Sequence, residues 1–181
     1  SQHNAENWSD DLRTASSVAH YITIIATPSG EDADDWLLNK TKGALVGVVA
    51  VSATTTITRQ LKRAVARERP NGLAGESFPS GHTSSSAVHT RLASRNLEAI
   101  EMNDATRFAL NTGLTAMTIG TSWARIEAGW HYPSDTLFSL ALGNFLASFV
   151  NDAFLGLTTT RSALRLSATH EGATLQWHAR F

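Results

Sequence analysis

The residues best suited to chemistry lie in the stretch Trp123-Ala-Arg-Ile-Glu-Ala-Gly-Trp-His-Tyr-Pro-Ser-Asp135. Arg125 offers a planar fork of five donors that matches phosphate. Asp135 follows His131 by four residues, a spacing that can return its carboxylate to one ring nitrogen and leave the other free. Pro133 suits the first turn of a helix, where its missing N–H costs nothing. The apolar run Leu137 to Val150 predicts a helix that begins near Tyr132 or Pro133. Such a helix start offers unpaired N–H groups to an anion. A His and an Asp four apart are common by chance, so the trio needs company.

Two earlier stretches supply it. Lys62 precedes Arg69-Pro70 by seven residues, which puts Lys62 and Arg69 two turns apart on one helix face. Pro79-Ser80-Gly81-His82 reads as a tight turn into a helix. Gly81 lets the backbone approach an oxyanion, and Ser80 can cap the helix and donate its hydroxyl. The N–H groups of Gly81 and His82 can point at the same ligand.

The order Lys-x6-Arg-Pro, Pro-Ser-Gly-His, Arg-x5-His-x3-Asp resembles the type 2 phosphatidic acid phosphatase superfamily. That group includes bacterial non-specific acid phosphatases, lipid phosphate phosphatases and vanadium haloperoxidases. The resemblance covers Lys62 to Asp135 directly. The family's third block usually opens Ser-Arg. Here it is Ala124-Arg125, which removes a hydroxyl and keeps every charge. The resemblance implies that His131, His82 and Asp135 are catalytic. It implies that Lys62, Arg69, Ser80, Gly81 and Arg125 bind the substrate phosphate, with no metal and no cofactor.

The same residues support phosphoryl transfer through a phosphohistidine. Lys62, Arg69 and Arg125 would neutralise the equatorial oxygens, with Ser80 and the Gly81-His82 backbone as neutral donors. His131 would attack phosphorus, Asp135 would hold its tautomer, and His82 would protonate the leaving oxygen and then activate water. The expected substrate is a phosphomonoester or diphosphate, on a small molecule or a lipid headgroup. Two other functions fit the cradle: a vanadate-dependent haloperoxidase, and a non-catalytic phosphate- or lipid-binding module. Two catalytic-type histidines are needless in the last case.

The elements that must position these groups read as helical. Leu12, Val18, Ile22 and Ile25 recur at helical spacing, with Ser9 or Asp10 as cap and Ser1 to Ser9 loose. Asp34 to Glu68 reads as one or two helices, in which Arg59, Arg63 and Arg67 are surface residues. Thr83 to Met102 and Ala105 to about Ala128 follow, with Phe108, Leu114, Met117 and Ile119 as the packing face of the second. The helix after Pro133 should end between Asp152 and Gly156. Beyond it, Leu164, Leu166 and Ala168, then Ala173, Leu175 and Trp177, alternate with polar residues. That alternation predicts a β-hairpin. His89 reads as structural, and His3, His20, His170 and His178 as non-catalytic. The expected fold is all-α: one domain over 1–181, with a compact helical core at about 10–156 and a small hairpin at about 162–181.

Composition narrows the class. A formal net charge of -1 gives no bulk attraction to nucleic acid. No cysteine is present, which fits an oxidising compartment. Gly43 to Ile57 and Thr136 to Val150 are the most apolar runs, and both fall short of about 18–20 residues. From this the chain is expected to be a soluble periplasmic or secreted protein after leader removal, touching a membrane surface at most peripherally.

Overall fold

Helical periodicity in the sequence becomes five long helices. The computed structural model describes residues 2–28, 33–73, 75–155, 162–169 and 172–179. The helices are α1 (Gln2–Ala26), α2 (Ala33–Val65), α3 (Gly81–Glu98), α4 (Asp104–Glu127) and α5 (Pro133–Leu155). An antiparallel hairpin follows, β1 (Ser162–Thr169) and β2 (Gly172–Ala179), with Leu164 opposite Trp177 and Leu166 opposite Leu175. Gly30, Glu31, His170 and Glu171 lie outside the described residues.

Three element boundaries differ from expectation, and α3 is one of them, ending at Glu98 rather than Met102. α1 begins at Gln2, so Ser9 and Asp10 lie inside the helix rather than at its cap. The early turns are held because Ser9 is buried against α4. α2 ends at Val65 rather than near Glu68, so Arg69 stands in the following loop and does not share a helix face with Lys62; the helix does run unbroken through Thr54 to Thr58, as expected. There the Thr54 hydroxyl donates to the Ala50 carbonyl, and Thr58 bonds Ser84 of α3 at 3.1 Å.

α3 is the central helix and packs on the other four. Its apolar residues behave as predicted: Ala87, Val88, Leu92 and Leu97 are buried. Val46, Ala50, Val88, Leu92, Ala147 and Val150 form one apolar cluster. Much of the remaining interior is hydroxyl. Ser16 and Ser86 are 2.7 Å apart, and Thr90 and Thr118 are 2.7 Å apart, which joins α1, α3 and α4. Arg95 of α3 makes a two-pronged contact with Asp152 at 2.8 and 2.9 Å.

The outward faces correct the sequence reading. On α1 the buried residues are Ser9, Ser16, His20 and Thr23, while Val18, Ile22 and Ile25 are exposed. On α4 Phe108 and Ile119 point outward, and Thr118, Thr121, Ser122 and Arg125 point inward. Two helices, Trp36–Val65 and Pro133–Leu155, are long and apolar enough to cross a membrane. Only 28 % and 33 % of their apolar windows are buried in the bundle. Core helices of a water-soluble protein would bury most of theirs. That exposure favours membrane association and leaves the expected soluble protein without support. The charge-free runs, 43–58 and 136–151, end within a residue of where the sequence reading put them; what it lacked was the exposure of their faces.

Small residues let the central helices approach closely. Ser139, Gly143 and Ala147 form a buried stripe along α5. A Cβ on Gly143 would lie 2.7 Å from both the Ala87 Cβ and the Ser84 carbonyl oxygen of α3. Backbone cannot yield as a flexible side-chain tip can. Gly143→Val should therefore destabilise the bundle by about 1–3 kcal/mol through overpacking. Thermal unfolding in detergent would test this; an unchanged midpoint would refute the close crossing.

Candidate active site

The helix directions bring five ends together. The C-terminal ends of α2 and α4 meet the N-terminal ends of α3 and α5, alongside the early turns of α1. Lys62 comes from the last turn of α2 and Arg125 from the last turn of α4. Ser80 caps α3, its hydroxyl accepting from the Thr83 N–H at 3.4 Å. Gly81 and His82 open that helix, and Asp135 lies in the first turn of α5. Gly129, at φ 72°, turns the chain from α4 toward His131. The Asn71 N–H donates to the Gly129 carbonyl at 3.2 Å, which ties this turn to the loop carrying Arg69.

All eight residues singled out from the sequence share this end of the bundle. The Lys62 ammonium donates to the Glu76 carbonyl and feels the charges of Arg69, Arg125 and Asp135. Its stem faces Gly81, with Cε at 4.0 Å from where a Cβ would stand. Arg69 stacks over Trp130 at 4.5 Å, and Arg125 lies 5.2 Å from the same ring. The Nε groups of both arginines are buried without a hydrogen-bond partner. A buried donor left unpaired costs about 1–3 kcal/mol. Arg69 and Arg125 converge beside Trp130 with Lys62 as one cationic centre, which suits an anion.

His131 is buried, and its Nδ1 lies 2.5 Å from the Ser77 carbonyl. That carbonyl can only accept, so Nδ1 carries the proton and the lone pair is on Nε2. The sequence reading gave this orienting role to Asp135. Asp135 Oδ2 is instead 3.9 Å from Nδ1, beyond hydrogen-bond reach. The fully buried carboxylate is used elsewhere. It accepts from the Ser77 hydroxyl at 2.6 Å, the Tyr132 N–H at 2.9 Å and Arg67 Nη1 at 2.8 Å. Asp135 thus fixes the 77–80 loop and the start of α5, and acts on His131 through Ser77 and through its charge. It also occupies the Tyr132 N–H expected to be free for an anion. Burial, together with Lys62 and Arg125, lowers the His131 pKa to about 3, against the opposing Ser77 and Asp135 contributions. The ring is neutral throughout ordinary working pH.

Four neighbours have contacts that the sequence reading did not assign to them. Arg67, read as a surface residue, grips Asp135 and stacks over Tyr132 at 4.0 Å. Ser77 supplies both its carbonyl and its hydroxyl. Ser9 bonds Arg125 at 3.3 Å, and Asp10 bonds His82 at 2.7 Å. Ser9 and Asp10 are 116 and 72 residues distant from their partners, so no local spacing announces them. Among the described residues, no three His, Asp or Glu side chains converge as a metal site.

Comparison with known proteins gives a family and a fold. The PAP2 superfamily model matches residues 42–157. No curated protein matches. The fold is similar to that of a solved transmembrane PAP2-type phosphatidylglycerolphosphate phosphatase from Bacillus subtilis. The TM-score is 0.54 and the identity 17 %, over 81 % of this chain and 84 % of that one. At that identity the likeness speaks for the fold alone.

Proposed function

The chain belongs to the PAP2 superfamily, and we propose that it is a membrane-embedded phosphatase of a lipid phosphate headgroup. One observation carries the lipid assignment. Residues 43–58 of α2, 108–124 of α4 and 136–151 of α5 contain no Asp, Glu, Lys or Arg. Each run is about 24–26 Å long at 1.5 Å per residue. That is a few ångströms short of a hydrocarbon core of about 30 Å, a gap that the exposed Lys42 and Arg59 at the ends of the first run bridge by reaching outward, whereas the third run lies between Asp135 and Asp152. All three runs stop at the site: Arg59 and Lys62 follow the first, Arg125 follows the second, and Asp135 precedes the third. The phosphate cradle then sits at the depth of lipid headgroups, and the exposed apolar faces meet acyl chains. Interhelical hydroxyl bonds and a small-residue stripe suit a bundle packed within lipid.

The reaction follows from the ring tautomers. Lys62, Arg69 and Arg125 hold the phosphate oxygens, and the Gly81 and His82 N–H groups add neutral donors. His131 Nε2 attacks phosphorus in line as the bond to the leaving oxygen breaks. His82 gives that oxygen a proton. Neutral His82 then takes a proton from water, which displaces His131 and releases inorganic phosphate. The three cations supply the neutralisation, so no metal ion is needed.

The test compares one phosphate on two carriers. Purified protein in liposomes should hydrolyse a diacyl lipid phosphate with kcat/KM at least about tenfold above that for glycerol phosphate, because the bilayer presents the headgroup at the site. Equal values would overturn the lipid assignment. Bromide oxidation after vanadate loading, without hydrolysis, would overturn phosphatase function itself.

A further inference from the structure

Acid–base chemistry at His82 requires the ring to hold a proton, release it and recover it in one orientation. The side chain beside it comes from outside the family-matched stretch. Asp10 of α1 accepts from His82 Nε2 at 2.7 Å. The charged groups around the ring are Asp10 and Arg13 from α1 and Arg125 from α4. Two of these are cations, which disfavour a protonated imidazole, and Asp10 is the one anion. It is tied to His82 across two helices and is itself half exposed, so the contact is not a requirement of core packing.

We propose that Asp10 is the positioning residue of the general acid–base. This rests on the phosphatase reading above. With Nε2–H committed to Asp10, Nδ1 is the nitrogen that exchanges the proton. In the first step the Nδ1 proton passes to the leaving oxygen, and the ring becomes neutral with its Nε2 proton still on Asp10. In the second step Nδ1 takes a proton from the attacking water. Asp10 stays ionised throughout. Its two effects are to hold the ring and to support the imidazolium against Arg13 and Arg125. α1 thereby completes a site whose other residues lie between positions 62 and 135.

The proposal separates two leaving groups. An alkyl phosphate departs as a poor leaving oxygen and needs the proton; p-nitrophenolate departs without one. Asp10→Asn and Asp10→Glu would be purified in detergent and followed by rapid quench for phosphoenzyme formation. The rate on alkyl phosphate should fall about 10- to 100-fold in Asp10→Asn, within the range of general acid catalysis. The rate on p-nitrophenyl phosphate should change less than threefold, and Asp10→Glu should recover part of the alkyl phosphate rate. In wild type, phosphoenzyme formation from alkyl phosphate should fall as pH rises through the His82 titration, and Asp10→Asn should move that fall to lower pH. Equal loss on both substrates, or no loss on either, overturns the role of Asp10. Absence of phosphoenzyme in the wild type would instead count against the phosphatase mechanism.

Discussion

Replacing His131 with alanine is expected to lower turnover by about 10^4- to 10^6-fold, and to abolish covalent phosphate incorporation with it. The size of the loss follows from the geometry of one ring. Nδ1 is held at 2.5 Å from the Ser77 carbonyl, so only Nε2 carries a lone pair. Burial above all, with Lys62 and Arg125 nearby, lowers the ring's pKa to about 3. A lowered value keeps the ring neutral and nucleophilic; protonation would begin only as pH falls toward 3. Acidifying from pH 7 to 5 should therefore leave the nucleophile active in the free enzyme, unlike an ordinary histidine that titrates near 6.5. His131 precedes α5, so its loss should leave the helices in place. Labelled substrate, rapid quenching and peptide mapping under alkaline conditions would locate the phosphoramidate. Label on another residue, or near-normal turnover in the alanine protein, would end the assignment.

The site was largely legible in sequence because its residues lie in three short blocks whose internal spacings are local. Their convergence is a consequence of alternating helix directions, which place the ends of α2 and α4 beside the starts of α3 and α5. The partners that tune these residues were not legible. Asp10, Ser9 and Arg67 have no periodic relation to the groups they touch. The fold shows a different kind of failure. The period of α1 and α4 was read correctly, but only part of each face was: Leu114 is buried as expected, whereas Val18, Ile22, Ile25, Phe108 and Ile119 are exposed. Val18, Ile22, Phe108 and Ile119 were taken as core because the reading assumed water outside. Hydroxyl residues at Ser16, Thr118 and Thr121 share the opposite face and are buried. An apolar stripe gives the angle of a helix surface; it does not say whether protein or lipid covers it. α3 escaped this ambiguity because it is surrounded, and its apolar residues have no choice of side.

Arg125→Ala is expected to lower kcat/KM by about 10^3-fold or more, comparable to the loss of an arginine that stabilises a transferring phosphoryl group. The reason lies in how the side chain is held. Its guanidinium is buried, anchored by Ser9 at 3.3 Å and flanked by Trp130. Its Nε donor nevertheless has no partner. Desolvation of a cation with an unpaired donor opposes folding, and a phosphate oxygen relieves that opposition on binding. Two consequences follow with opposite signs. Without ligand, the alanine protein should unfold close to the wild-type temperature, since the truncation removes an unsatisfied charge as well as its contacts. With inorganic phosphate or vanadate, the wild type should gain stability by mass action, and most of that gain should vanish in the variant. Arg125→Lys should restore little, because an ammonium keeps the charge but cannot present the planar fork. Thermal unfolding with and without phosphate, alongside kcat/KM, measures both effects on one sample. An undiminished phosphate-dependent shift in Arg125→Ala would remove Arg125 from the phosphate cradle. A large drop in ligand-free stability would mean that its contacts with Ser9 and Trp130 outweigh the cost of its burial.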